Sequence, residues 1–153
     1  MDMPERRPLP GAGIGAAGAE FEWVVERGKV AEFARACLAG DPAHSGADAV
    51  APPTFPVTAT ALWEAPGSRP GLPEPFDPRR VLHGEQEFVY ERPLRAGDVL
   101  TGVTRLADAY ERTGRRGGTM RFAVWETTFT DSTGSIVARS RATIIETSKA
   151  PER

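Results

Sequence analysis

Between residues 81 and 147 the chain carries four segments of strand-like patterning, at 81–92, 98–111, 119–130 and 135–147. Each is about 12 residues long, roughly twice the usual strand. Phe88 and Tyr90 share a face of the first, and Val99, Leu100, Val103 and Leu106 supply the second. In the third, Met120, Phe122 and Val124 alternate with Ala123, Trp125 and Phe129. The fourth sets Ile136, Ala138, Ser140, Ala142 and Ile144 on one side, with small residues at its centre, where a helix can approach closely. Pro93–Gly97 predicts a turn, Thr113–Gly118 a flexible hairpin loop, and Asp131-Ser132-Thr133-Gly134 a hairpin turn.

Upstream the period changes. Phe21, Trp23 and Val25 alternate as a short extended lead-in. Val30, Phe33, Ala34, Cys37 and Leu38 then fall at helical spacing, with Gly40 as the stop, which predicts a helix that buries Cys37. A second helix is expected over 54–63, capped by Thr54 and apolar nearly all round, hence buried. Five prolines between 66 and 78 exclude regular structure there. One buried helix wrapped by a long antiparallel sheet is the α+β hot-dog architecture. Trp125 and Phe129, placed on a second apolar face, predict that the outer side of the sheet is covered by another hot-dog domain.

A chain of 153 residues suits one domain with its own core. Residues 1–19, rich in Gly, Ala and Pro, are expected as a flexible tail, 20–148 as the domain and 149–153 as a C-terminal tail. A net charge of −2 offers no basic field for nucleic acid. No apolar run reaches the roughly 18 residues of a membrane helix. A lone cysteine fits a reducing cytoplasm, and two histidines leave little for a metal site.

Leu82-His83-Gly84-Glu85-Gln86, followed by Tyr90-Glu91-Arg92-Pro93-Leu94-Arg95-Ala96-Gly97-Asp98-Val99-Leu100, resembles the N-terminal domain of MaoC-like dehydratases, the FAS1-like or (R)-hydratase group. Ala51-Pro52-Pro53-Thr54-Phe55-Pro56 is similar to the start of that group's central helix. The resemblance implies reversible syn addition of water to a trans-2-enoyl thioester carried on CoA or acyl carrier protein. It implies no metal or organic cofactor, and a partnership with a second hot dog as homodimer or heterodimer. An Asp and a His flanking one water share the acid and base roles. A backbone N–H at a helix N-terminus polarises the thioester carbonyl.

The family's motif is Asp-x-Asn-Pro-(Leu/Ile)-His, and the corresponding place here holds Gly40-Asp41-Pro42-Ala43-His44. Asp41 and His44 are three apart rather than five, so they are either a shortened water-activating pair or a polar turn after a helix. Phe55 and Trp63 are candidates to line the acyl site, and His83 for substrate contact or for the sheet framework. Arg112, Arg115 and Arg116 are candidates to dock a CoA phosphate or an acidic carrier, against a merely soluble hairpin tip. The expectation is a hot-dog subunit of an (R)-specific enoyl-thioester hydratase or 3-hydroxyacyl-thioester dehydratase in fatty-acid or polyketide metabolism. A non-catalytic acyl-thioester scaffold and a hot-dog thioesterase are the alternatives, because fold alone does not choose among them.

Overall fold

The computed structural model describes residues 5–114 and 118–149. In chain order the elements are β1 (Arg6–Pro8), β2 (Phe21–Val24), α1 (Arg27–Ala36), α2 (Val57–Leu62), β3 (Val81–Tyr90), β4 (Val99–Thr113), β5 (Thr119–Thr130) and β6 (Ile136–Glu146). Single 3-10 turns lie at Pro42–His44 and Pro78–Arg80. The four long strands thus fall close to the predicted segments.

All pairings are antiparallel, in the order β1-β4-β5-β6-β3, and β2 also pairs with β4. β4–β5 and β5–β6 are hairpins. The latter turns on Asp131, whose carboxylate accepts from the Thr133 and Ser135 amides. Pro93–Gly97 is not a hairpin turn, because β3 pairs with β6 at the far side of the sheet, Tyr90 opposite Ala138. Residues 91–98 instead cross from that edge to β4. The crossing is fixed by backbone bonds from Ala51 to Leu94, from Ala96 to Ala49 and from Gly97 to Val25. Asp98 accepts from Arg92 Nη1 at 2.7 Å, from Nη2 at 3.1 Å and from the Arg95 amide at 2.9 Å. Gly97 supplies the positive φ of 93° that this bend requires.

Register brings Leu100, Thr104 and Leu106 of β4 onto the same face as Phe129, Trp125 and Ala123 of β5 and Ala138 and Ala142 of β6. Trp125 and Phe129 therefore lie on the helix side with the small residues of β6, not on a second, outer face. Over one half of this face sit the helices. The Trp23 ring centre lies 4.8 Å from that of Phe129 and 5.9 Å from that of Phe55, and Val30, Ala59, Leu100 and Val137 belong to the same cluster.

α1 stops before the end of its apolar stripe, and α2 is shorter than the predicted 54–63. Ala39 N–H bonds to Ala34 O and Leu38 N–H to Arg35 O, a Schellman stop with Leu38 at φ 55°. Cys37 consequently lies beyond the helix and is exposed, against the expectation of burial. α2 buries Thr58 and Ala59 but exposes Val57 and Leu62, so it is buried on one side only. The burial expected of one central helix is divided between α1 and α2.

The other half of the face is covered without helices. Leu106, Ala109 and Ala123 are closed over by Ala12, Leu9, Leu72 and Phe76. Residues 6–18 are not a free tail. β1 pairs with β4, and farther on Gly15 N–H bonds to Leu106 O, Leu106 N–H to Ala16 O and Gly18 N–H to Thr104 O. Small residues allow this backbone to lie flat along β4. Gly18 is required, since a Cβ there would enter the Ser68 backbone. Residues 1–4 and 150–153, in the expected terminal tails, lie outside the described residues. The proline-rich segment is tied down by Glu146, only 3% exposed, which accepts from Arg121 Nε at 2.6 Å, Arg80 Nη2 at 2.8 Å and the Asp77 amide at 2.8 Å. The Arg121 guanidinium, followed by the Asp77 amide, holds the Glu146 carboxyl below its ordinary pKa against the opposing effect of burial.

Candidate functional site

The loop after α1 folds back through local bonds. Asp41 caps the Pro42–His44 turn, its Oδ1 accepting from the Ala43 amide at 2.8 Å. Val50 N–H returns to Ala43 O at 2.7 Å, and His44 Nδ1 lies 2.7 Å from Val50 O. A carbonyl oxygen only accepts, so Nδ1 carries the ring proton of neutral His44. Nε2 is then left with its lone pair, the form a general base needs. Among the described residues no hydrogen bond joins the Asp41 and His44 side chains.

Val50 pairs with Arg95 of the crossing segment, and this seam opens into a cleft. Its volume is about 390 Å³, with a wall of Val50, Ala51 and Pro53 facing Tyr90, Arg92 and Leu94. Burial pushes the Tyr90 phenol up to about 12, and its hydroxyl donates to Pro53 O at 2.6 Å. Tyr90 is therefore a neutral donor near pH 7 and closes the cleft wall onto the loop before α2. A largely apolar recess of this volume suits a short acyl chain. The first-turn amides of α2 are already engaged, Val57 N–H with Thr54 O and Thr58 N–H with Phe55 O.

The other candidates do not converge on this place. Phe55 is 1% exposed, its ring edge-on to Phe33 and stacked on Trp23, so it belongs to the packed core and not to the cleft wall. Trp63 is half-buried at the margin of that core. His83 pairs with Ile144 at the start of β3, seven residues from Tyr90, roughly 23 Å along the strand. Arg112 lies near the far end of β4, roughly 40 Å along it from Val99. Its guanidinium stacks 5.2 Å from the Tyr110 ring and 6.0 Å from Phe122, a fixed position on the sheet and not a mobile loop tip. Arg115 and Arg116 lie outside the described residues.

Sequence reasoning does not single out Tyr90, Arg92 and Val50 as site-forming residues. The Arg-Pro-x-x-x-Gly-Asp pattern was the available signal. Its Arg92–Asp98 pair shapes the crossing segment that makes one cleft wall.

The family model for the FAS1-like, dehydratase domain region matches residues 12–140. A UPF0336 protein of Clavibacter michiganensis subsp. michiganensis is 41% identical over 122 residues, covering 69% of this chain and 76% of that protein. Among solved structures, the C-terminally truncated HadBC (3R-hydroxyacyl-ACP dehydratase) complex of Mycobacterium tuberculosis is similar with a TM-score of 0.63 and 20% identity, covering 90% of this chain and 99% of that one. The ChsH1-ChsH2 complex of the same organism gives a TM-score of 0.63 at 17% identity, with 90% and 87% covered. These likenesses agree with the hot-dog, α+β arrangement described above.

Proposed function

Because this chain belongs to the FAS1-like dehydratase domain family, we propose that it is the hot-dog subunit of an enoyl-thioester hydratase or 3-hydroxyacyl-thioester dehydratase, working beside a second hot-dog chain. CoA or acyl carrier protein would carry the substrate. The observation that carries the reading is His44, whose Nδ1–H is spent on Val50 O, the carbonyl of a residue that also lines the apolar cleft. With Nδ1 so fixed, Nε2 takes a proton from water in hydration and returns it in dehydration. The water oxygen bonds to C3 of the enoyl chain while C2 gains a proton, so the reaction is balanced without a cofactor. Asp41 is proposed as the second member of the pair.

The HadBC and ChsH1-ChsH2 structures are both complexes, which supports a partner chain here. One observation favours a second reading, in which this chain binds the acyl group and the partner supplies the chemistry. Asp41 Oδ1 is committed to its own turn and the carboxylate makes no bond to His44 among the described residues.

Hydration of crotonyl-CoA, followed by loss of the enoyl absorbance, separates the two. The chain is assayed alone and with a hot-dog partner. His44→Ala is expected to lower turnover by about 10²–10⁴-fold, the usual worth of a positioned base. Turnover that survives Asp41→Asn combined with His44→Ala overturns the assignment of the pair. Saturable acyl-CoA binding without hydration under any pairing favours the binding subunit.

A further inference from the structure

β3 bonds to β6 along one side, and among the described residues nothing pairs with its other side. It is ten residues long and exposed over most of its length, with Leu82 and Val89 about half exposed. An open edge of this kind is a template for another strand. A bulge at Gly84 interrupts its ladder, leaving Glu85–Tyr90 as the regular part.

Charge on that regular part is one-sided. Glu85, Glu87 and Val89 alternate onto the face away from the helices, opposite Thr143, Arg141 and Arg139 of β6. Arg139 is taken by Glu91 at 3.0 Å and Arg141 by Glu126 at 3.5 Å. Glu85 and Glu87 are exposed and make no ion pair among the described residues.

Antiparallel pairing with a second copy sets directly opposed residues on one face. A two-fold axis at residue 85 opposes Glu85 to Glu85 of the copy, and an axis at 86 opposes Glu85 to Glu87. An axis at 87 opposes Glu87 to Glu87, and one at 88 opposes Glu85 to Glu91. Every register centred on the regular part from 85 to 88 therefore places carboxylate against carboxylate, which is destabilising. Lysines or arginines on the incoming strand reverse the sign in all of them.

We propose that Glu85 and Glu87 are the specificity determinants of this edge. They exclude a second copy of the chain and select a different hot-dog chain whose edge strand carries Lys or Arg on the matching face. The proposal rests on the two-chain reading above and names the chemistry of the partner.

Sedimentation of the full chain tests it, comparing wild type, the Glu85→Lys/Glu87→Lys/Glu91→Lys triple variant, and their equimolar mixture, with circular dichroism confirming that each is folded. Wild type and variant alone are expected to remain monomeric at micromolar concentration, and the mixture to form a one-to-one dimer. That dimer is expected to weaken by roughly tenfold or more from low to high salt, as screening of surface charge requires. A wild-type dimer, or a mixture that stays monomeric, overturns the proposal. Sedimentation does not measure turnover, so a failed hydration assay alongside an assembling mixture would reject only the catalytic reading.

Discussion

On the half of the sheet beneath the helices, the Trp23 ring lies within 6 Å of the ring centres of both Phe55 and Phe129, and the covering elements contribute large apolar side chains. On the other half the floor is Leu106, Ala109 and Ala123, and the cover is Ala12 with the partly buried Leu9, Leu72 and Phe76. There the lid is held by bonds of another kind, with Glu146 bridging Arg80, Arg121 and the Asp77 amide, and Trp125 Nε1 donating to Pro70 O at 2.9 Å. The difference teaches that one sheet face can be closed by packing volume in one place and by directed polar bonds in another. The two halves must then fail differently. Loss of volume is felt at every pH, whereas loss of an ionised acceptor is felt only where it is ionised.

The largest effect is expected in the aromatic half. Phe55→Ala removes a fully buried ring that touches Trp23 and Phe33, and a core Phe truncation costs about 3–5 kcal/mol. For a domain of this size that lowers Tm by more than about 6 °C. Thermal unfolding at neutral and mildly acid pH is expected to give the same loss at both. A loss below about 1.5 kcal/mol would mean that Phe55 is not packed as described and would restore it as a candidate for the acyl site.

Glu146→Gln comes next. Breaking a buried ion pair costs about 3–5 kcal/mol when both partners are enclosed. Here Arg80 and Arg121 are 31% and 16% exposed, so water screens the pair and the expectation falls to roughly 2 kcal/mol. Its sign with pH is fixed by the lowered pKa of Glu146. A carboxylate held below its unfolded value of about 4.5 adds stability above that pH. The contribution is lost as pH falls through the lower, folded value. Denaturant unfolding is therefore expected to separate wild type from variant at pH 7 and to bring them together in acid. A gap that persists undiminished in acid would show that Glu146 acts through shape and not through charge.

The same contrast explains what the sequence disclosed. The four long strands were legible because Phe88/Tyr90, Ala123/Trp125/Phe129 and Ala138/Ser140/Ala142 keep a period of two, which is a local property. The covering of the second half was not legible, because Gly15, Ala16 and Gly18 look like a solvated tail until the edge of β4 is there to receive their backbone bonds. Pairing is also nonlocal. Pro93–Gly97 has the composition of a hairpin turn, and only the β3–β6 ladder reveals that it crosses the sheet. At the candidate site, the motif singles out the Asp41–His44 loop, and the structure sets His44 against Val50 of the cleft. The cleft wall was not, since Val50 and Tyr90 are 40 residues apart and meet only through that crossing.

The smallest effect is expected at the end of α1, within the well-packed half itself. Leu38 holds φ at 55° with its side chain 91% exposed. A left-handed residue with a Cβ costs about 1–2 kcal/mol, and glycine is the residue this Schellman position favours. Leu38→Gly relieves that strain and removes no buried surface, while the greater freedom of glycine in the unfolded chain takes back about 0.5–1 kcal/mol. The net expectation is a gain of up to about 1 kcal/mol in urea unfolding, with an unchanged slope because the surface exposed on unfolding is the same. Hydrogen exchange in the Glu146 half should be unmoved, since additivity holds between sites that share no partner. A loss of stability instead would mean that the Leu38 side chain is covered in solution. The exposed end of α1 would then be a contact surface, and the two halves would differ in assembly as well as in packing.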